Sequence, residues 1–294
     1  MIKHEYVDIN GIKLHYAACG SGSLMIFLHG FPEFWYAWKD QLPEFGQDHL
    51  AVAPDMRGYN LSDKPTEVSA YQIPNLIADV RALAESLGYQ KFTLIGHDWG
   101  GAVAWAFALT FPEYLERLII VNAPHPITFY RELLQNPAQQ AASQYMLMFR
   151  SAEAEAMLSA NNFGLFQETF LNVLLAQGHL TAEDCQAYLT AWAQPGALTG
   201  GLNYYRAAEI GPPTGQGDQD KLQALLKMLP NQLINVPTLV IWGEQDIYLL
   251  ASELDGLEEY VPNVTIERIP EGTHWVIHEY PTQVNNLIRA FLKQ

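Results

Sequence analysis

A chain of 294 residues is long enough for one large domain with an inserted block, or for two small domains. Hydrophobic residues make up 49% of it and charged residues only 16%, which is the balance of a packed globular protein and excludes a disordered one. The formal net charge of −16 repels phosphate backbones and anionic lipid surfaces, so we expect no nucleic-acid or membrane partner and favour a neutral small-molecule substrate.

The start of the chain lacks the apolar stretch that a signal peptide contains. The sequence also contains no run of about 18 apolar residues, the length that is needed to span a bilayer. The expected location is therefore cytoplasmic. Cys19 and Cys185 lie far apart without a C-x-x-C motif, so the sequence indicates neither a disulfide framework nor a structural zinc site.

The N-terminal part predicts an antiparallel hairpin, because apolar residues tend to alternate from residue 2 to 16 around the turn Asn10-Gly11. Six short apolar runs after it predict buried strands, and helical patterns separate several of them. Strand followed by helix, repeated, predicts an α/β fold with a mostly parallel eight-stranded sheet flanked by helices. The six runs cover residues 24–28, 50–53, 92–95, 118–121, 238–242 and 264–269.

The alternation of strand and helix stops after Val121-Asn122-Ala123-Pro124, and no strand pattern returns before residue 238. Three segments in between are rich in Ala, Gln, Met and aromatic residues, which suit helices packed over a pocket. We predict a core domain of residues 1–122 and 235–294 and a helical cap domain of residues 123–234. The three helical segments cover residues 138–149, 152–158 and 182–192.

The run Gly96-His97-Asp98-Trp99-Gly100 lies between a predicted strand and a predicted helix. The glycines on either side of Asp98 fit a nucleophile elbow, a strained turn that lifts one side chain above the sheet. Most such elbows carry serine, but a carboxylate instead displaces a leaving group at saturated carbon and forms an alkyl-enzyme ester. The alternative is a turn in which Asp98 merely caps the helix.

Two further side chains fit a catalytic role and favour it over capping. Catalytic residues around such an elbow follow one another along the chain as nucleophile, acid and histidine. This order predicts that the base is His274, which lies after the last predicted strand. Asp246 follows the strand at 238–242 and is the predicted acid, with Glu244 as the alternative. Backbone N–H groups of Phe31 and Trp99 are the predicted oxyanion hole.

A metal site is the alternative for one histidine pair. His274 and His278 stand four residues apart, but no H-E-x-x-H glutamate accompanies them, so we expect no metal. His29 and His97 are predicted to be structural.

Over essentially its whole length the sequence resembles the epoxide hydrolase branch of the α/β-hydrolase superfamily, with haloalkane and haloacetate dehalogenases as close relatives. The resemblance implies the α/β-hydrolase fold, epoxide opening without a cofactor, and a pocket to which we assign Trp35 and Trp275. Its motifs are His29-Gly30-Phe31-Pro32-Glu33, Asp55-Met56-Arg57-Gly58-Tyr59, the run from Gly96 to Gly101, and the Gly-x-x-Asp and Gly-x-His-Trp runs.

Family epoxide hydrolases carry two cap tyrosines that hydrogen-bond the epoxide oxygen, and Tyr145 and Tyr205 lie in segments similar to theirs. Such donors are needed because an opening epoxide releases a strongly basic alkoxide. Tyr204 and Tyr130 are the alternatives for these two positions.

Dehalogenation by the same Asp-His-Asp residues is the alternative reaction. A halide leaves without a proton and needs weak donors such as an indole N–H, which Trp99 could supply. Phe31 stands where haloalkane dehalogenases usually place asparagine, and Trp99 where haloacetate dehalogenases place arginine, so a carboxylate substrate is disfavoured. A ligand-binding receptor on this fold is a third hypothesis. The sequence leaves open whether two copies form a homodimer and how large the substrate is.

Overall fold

The eight-stranded sheet is built around central strands that are apolar on both faces. A computed structural model describes residues 1–228 and 232–294, and its strands lie in the order β1-β2-β4-β3-β5-β6-β7-β8. β2 is antiparallel to both of its neighbours, and all other pairs are parallel. This confirms the predicted class and sheet. The strands are β1 (Lys3–Ile9), β2 (Ile12–Gly20), β3 (Ser23–Leu28), β4 (His49–Pro54), β5 (Phe92–His97), β6 (Leu115–Val121), β7 (Thr238–Gly243) and β8 (Val264–Ile269).

The predicted hairpin is present, with Ile9 paired to Ile12 across a turn in which Asn10 and Gly11 both have positive φ. A two-residue turn needs this backbone conformation to match the twist of its strands. The parallel strands β3, β5, β6 and β7 follow it, and their carboxyl ends meet at one edge of the sheet. Ligands bind at this edge in open α/β sheets.

Helices make up the rest of the regular structure. They are α1 (Gln41–Phe45), α2 (Ile73–Ser86), α3 (Trp99–Thr110), α4 (Pro126–Gln135), α5 (Pro137–Ala142), α6 (Tyr145–Arg150), α7 (Ala154–Phe166), α8 (Asn172–Ala176), α9 (Ala182–Trp192), α10 (Ala197–Ala208), α11 (Gln216–Met228), α12 (Val276–Glu279) and α13 (Pro281–Leu292). Short 3-10 segments occur at Trp35–Trp38, Val68–Tyr71, Pro112–Tyr114, Ala251–Leu254 and Leu257–Glu259, and a π-helical turn at Gln167–Leu171. None of the helices in the described ranges is long and apolar enough to cross a membrane.

Eight of the helices, α4 to α11, lie between β6 and β7. The helix predicted over residues 138–149 is in fact two, α5 and α6, because the chain turns at Ser143. That turn is held by Gln139, whose side-chain amide donates to the Ser143 hydroxyl and to the Tyr248 carbonyl. Residues 229–231 of the predicted cap lie outside the described residues, and the division into core and cap stays a prediction.

Candidate active site

Asp98 occupies a strained turn between β5 and α3. Its φ of 50° and ψ of −121° are unusual for a residue with a side chain, and such strain is characteristic of functional sites. Glycine is required on both sides of it. A Cβ on Gly96 would overlap the Gly100 carbonyl oxygen, and a Cβ on Gly100 would overlap that of Leu28. The elbow geometry expected from the sequence is therefore present.

The two carboxylate oxygens of Asp98 have different partners. The Phe31 amide donates to Oδ1 over 2.8 Å, and Oδ2 lies 3.5 Å from Nε2 of His274. Burial opposes ionisation, yet the hydrogen bond and charge of His274, with help from His97 and the Phe31 amide, hold the pKa of Asp98 below its usual value. The site thus presents an ionised carboxylate with one oxygen fixed by the backbone.

His274 lies between two carboxylates. Its Nδ1 is 2.7 Å from Oδ2 of Asp246, while Nε2 faces Asp98. Burial disfavours the charged ring, but the charge and hydrogen bond of Asp246, followed by those of Asp98, raise the pKa of His274 to about 10. The imidazole is therefore an imidazolium at neutral pH.

Asp246 is held from three further directions. Its Oδ1 accepts hydrogen bonds from the backbone amides of Tyr248 and Leu249 at 2.8 and 2.9 Å. Oδ2 accepts a third from the side-chain amide of Asn122 at 2.8 Å. A buried carboxylate is tolerated only when its oxygens are satisfied in this way. The alternative acid, Glu244, instead pairs with Arg268 near the surface.

Asn122 is a site residue that sequence reasoning missed. It follows the last residue of β6, is fully buried and has a φ of 39°. Its Oδ1 accepts from the Gly243 amide at 2.9 Å, so one side chain links the ends of β6 and β7 to Asp246. The available signal was a polar residue, Asn122, directly after a buried apolar strand. Its function could not be predicted from that signal alone, because its partners lie at the end of β7 and the pairing of β6 with β7 was not known from the sequence.

A second buried acid, Glu33, lies behind the His274 loop. It accepts a hydrogen bond from the Tyr188 hydroxyl at 2.8 Å and lies 2.6 Å from Nε2 of His278 and 3.3 Å from Nδ1 of His97. Burial opposes ionisation, but His278 and His97 hold the pKa of Glu33 well below its usual range. Nε2 of His97 in turn donates to the carbonyl oxygen of His274 at 2.8 Å. The two histidines considered as a metal pair, His274 and His278, thus bind different carboxylates.

Two lobes of one cavity meet at Asp98, Tyr145 and Tyr205, which line both. The first lobe, of about 200 Å³, is largely aromatic, and the second, of about 310 Å³, is lined mainly by aliphatic and small residues. The first lobe also contains Phe31, Met148, Phe149, Leu165, Phe166, Thr169, Phe170, Tyr248, His274 and Trp275. The second also contains Ile73, Trp99, Ala102, Ala106, Leu109, Phe129, Tyr130, Met146, Ala208 and Ile210.

The tyrosines predicted from the resemblance share a wall of this cavity. Tyr145 on α6 and Tyr205 on α10 have ring centroids 6.2 Å apart. Burial raises the pKa of both well above its usual value, and the negative charge of Asp98 adds to this. Both phenols are therefore protonated hydrogen-bond donors at neutral pH. The alternatives fit less well, since the Tyr204 hydroxyl donates to the Arg57 carbonyl and Tyr130 lines only the second lobe.

The two tryptophans assigned to the pocket have different positions. Trp275 lines the first lobe, whereas Trp35 is not among the residues that line either lobe. The 3-10 helix that begins at Trp35 directs its ring against His4, with centroids 5.0 Å apart, and its amide donates to Asp55.

Only one of the two predicted oxyanion donors contacts the Asp98 carboxylate. The Phe31 amide does so, whereas within the residues described here the Trp99 amide makes no hydrogen bond to it. The Trp99 ring packs edge-on against Tyr205, with centroids 5.1 Å apart. Trp99 therefore contributes a wall of the second lobe.

Comparisons with known proteins agree with this geometry. A family model described as "alpha/beta hydrolase fold" matches residues 23–281. The chain is 39% identical to mouse "Epoxide hydrolase 4" over 99% of its own length and 80% of that protein, and 39% identical to the Bacillus subtilis "AB hydrolase superfamily protein YfhM" over 99% and 98%.

Solved structures of a Bacillus megaterium epoxide hydrolase are similar throughout. One, in complex with an inhibitor, is 42% identical with a TM-score of 0.93, covering 99% of this chain and all of that one. A point mutant of the same enzyme, complexed with its product (R)-3-[1]naphthyloxy-propane-1,2-diol, is 41% identical with the same TM-score and coverage.

We expect Asn122→Ala to destabilise the fold by about 1–3 kcal/mol, because it leaves the buried Gly243 amide without a partner and removes one of the two hydrogen bonds to Oδ2 of Asp246. Urea unfolding measures the change. Asn263→Ala is the matched control, since Asn263 makes an exposed bond to the Asn235 carbonyl, and we expect it to stay within about 0.5 kcal/mol of the unsubstituted protein. Equal unfolding midpoints for the two variants would contradict the linking role of Asn122.

Asp246→Asn should lower the pKa of His274 from about 10 towards its ordinary value of 6.5, because the largest favourable charge is removed. Titration of the ring by ¹⁵N NMR measures this shift. A raised pKa stabilises the fold fully below the unfolded value of 6.5, and this stability is lost as the pH rises through about 10. The unsubstituted protein should therefore lose stability between these pH values, and Asp246→Asn should lose less of it. Parallel losses in both proteins would refute the assignment.

Proposed function

The chain belongs to the α/β-hydrolase family and to its epoxide hydrolase branch, and on this premise we propose that it hydrolyses a small neutral epoxide to a vicinal diol. One observation carries the proposal: the ionised Asp98 faces the same cavity as two protonated phenols, Tyr145 and Tyr205. The diol bound by the Bacillus megaterium relative supports it. No cofactor is required for these steps.

In the first step the Asp98 carboxylate attacks one epoxide carbon, and the carbon–oxygen bond breaks with its electron pair on oxygen. Tyr145 and Tyr205, on helices α6 and α10 of the proposed cap of residues 123–234, hydrogen-bond this oxygen, and one of them supplies its proton. The imidazolium of His274 then restores the phenol. The product is a hydroxyalkyl ester on Asp98 with a neutral His274 beside it.

In the second step neutral His274 takes a proton from water, and the resulting hydroxide attacks the ester carbon. The Phe31 amide, already bonded to Oδ1 of Asp98, stabilises the oxyanion, and we assign the second donor to the Trp99 amide as the tetrahedral centre forms. Collapse expels the diol oxygen, which takes the proton of the new carboxylic acid. Asp98 is again a carboxylate and His274 again an imidazolium paired with Asp246.

In these two steps the protonation of His274, the base, depends on whether Asp98, the nucleophile, is a free carboxylate or an ester. The charge of Asp98 is one of the causes that raise the pKa of His274. Esterification removes that charge, so the pKa of His274 falls when the enzyme needs a base. Asp246, held by Asn122 and two backbone amides, keeps the ring oriented throughout.

Displacement of halide remains the alternative reaction for the same carboxylate, with the Trp99 ring in the second lobe as a halide contact. Two buried phenols favour the epoxide, because an alkoxide needs a proton that a halide does not. A side-by-side assay of diol formation and halide release separates the reactions. A receptor without turnover would show neither product but would still bind a ligand in a thermal-shift screen.

His274→Gln should accumulate the alkyl-enzyme ester, because attack by Asp98 survives while water activation is lost. Incubation with an aryl epoxide and intact-mass analysis should show an adduct of one substrate mass, which peptide mapping locates on Asp98. Turnover should fall by about 10²–10⁴-fold. An unmodified variant that still produces diol would rule out this mechanism.

Tyr205→Phe and Tyr145→Phe should each slow ester formation by about 10–10³-fold, because each removes one donor to the leaving oxygen. Rapid-quench measurements under single-turnover conditions report this step. Tyr89→Phe is the matched control, since the Tyr89 hydroxyl donates to the Gly22 carbonyl at the surface, and we expect it to be unchanged. If the cavity variants open epoxides at the normal rate, the leaving group is not an epoxide oxygen activated by these phenols.

A further inference from the structure

Helix α10 touches the core of the protein through two glycines. A Cβ on Gly200 would overlap the Gly58 carbonyl oxygen and lie 2.7 Å from Gly58 Cα. A Cβ on Gly201 would lie 2.7 Å from two carbon atoms of the Phe31 ring. Neither helical glycine has a positive φ, so the constraint is the closeness of approach and not the backbone conformation.

The residue one helical turn after each glycine contacts the same part of the core. Tyr204, four residues after Gly200, donates from its hydroxyl to the Arg57 carbonyl at 2.9 Å, next to Gly58. Tyr205, four residues after Gly201, packs edge-on against Phe31 with ring centroids 5.6 Å apart. Residues four apart share one face of a helix. The face of α10 that contacts Gly58 and Phe31 is therefore the same face that carries Tyr205.

We propose that Gly200 and Gly201 are positioning residues that set how far Tyr205 reaches into the cavity above Asp98, an inference that rests on the proposed function. A methyl group at position 200 meets backbone atoms of Gly58, which cannot rotate away as a side chain can. The helix must then move outward by about 1 Å, and a displacement of this size at a reacting group can cost about 100-fold in rate.

The effect of Gly200 should fall on one chemical step. Tyr205 assists the opening of the epoxide, whereas ester hydrolysis uses His274 and Asp246, which lie beyond the carboxyl ends of β8 and β7. Gly200 contacts Gly58, and the three atoms nearest to a Cβ added at Gly58 belong to Tyr71 and Gly200, not to His274 or Asp246. Gly201 differs, because it touches the ring of Phe31, whose amide holds Asp98 in both steps.

The experiment compares Gly200→Ala with Gly217→Ala by rapid-quench kinetics. Gly217 lies in α11 with nothing within 4 Å of an added Cβ, so the same substitution there is a matched control expected to leave both steps unchanged. In Gly200→Ala we expect ester formation to slow by about 10–100-fold and ester hydrolysis to stay within about 2-fold. Gly201→Ala should slow both steps.

A double-mutant cycle tests whether Gly200 acts through Tyr205. In the Tyr205→Phe background, Gly200→Ala should slow ester formation by less than about 3-fold, because the hydroxyl that it displaces is already absent. If Gly200→Ala instead caused a general loss of structure, its effect on the rate of ester formation would multiply in full with that of Tyr205→Phe, and ester hydrolysis would be slowed as well. Either of those results overturns the inference.

If Gly200→Ala does not fold, Tyr204→Phe tests the same positioning role of the α10 contact. It removes the bond to the Arg57 carbonyl without adding volume, and it should slow ester formation by a smaller factor with hydrolysis unchanged. Normal ester formation in Tyr204→Phe, or in a folded Gly200→Ala, refutes the positioning role. If the unsubstituted enzyme itself forms neither ester nor diol, the proposed function has failed and this inference fails with it.

Discussion

The structure depends on one buried arrangement, the imidazolium of His274 between the carboxylates of Asp98 and Asp246. Burying these charges is costly, and it is tolerated because every oxygen has a partner. Those partners come from separate parts of the chain, with the Phe31 amide after β3 and the Asn122 side chain after β6. The parallel sheet brings them together, since the carboxyl ends of its strands share one edge. The fold thereby holds the side chains of Asp98, His274 and Asp246 in place before any substrate is bound.

The same arrangement explains how a histidine with a raised pKa can act as a base. Its proton is held by two negative charges, and the proposed reaction removes one of them by esterifying Asp98. In the proposed reaction the electrostatic field at His274 therefore changes when the ester has formed and the second step begins. Glu33 helps to hold the loop that carries His274. It is hydrogen-bonded to His278 and Tyr188 and contacts His97, whose ring donates to the His274 carbonyl oxygen. Preorganised charges of this kind act without a cost of reorganisation during the reaction.

Local patterns were sufficient for the sheet, and they also pointed to three side chains that the structure brings together, Asp98, Asp246 and His274. Asp98 stands between two glycines, of which Gly96 closely approaches Gly100 and Gly100 closely approaches Leu28. Asp246 and His274 follow predicted strands in the expected chain order. Asn122 could not be recognised, because its function arises from the pairing of β6 with β7, two strands separated by more than one hundred residues of sequence. The position of Trp35 depends on contacts close to it in the chain and in space. Its place beside a motif suggested the pocket, whereas its direction is set by the local 3-10 helix and by Asp55.

The helices between β6 and β7 cover the cavity above Asp98 and are also hydrogen-bonded to the segment that follows Phe31. Along α9, Asp184, Tyr188 and Trp192 are spaced one turn apart, and they bind Tyr36, Glu33 and the Pro32 carbonyl in the segment that follows Phe31. Helix α10 adds its two glycines on Gly58 and Phe31. The segment that carries Phe31, the proposed oxyanion donor, is thus held partly by these helices, so in the proposed mechanism they position the reacting groups as well as lining the cavity. Met148, Leu165 and Thr169 line the first lobe, whereas α9 contacts the segment that follows Phe31 and α10 contacts Gly58 and Phe31, so these two helices hold the surroundings of Asp98 in place.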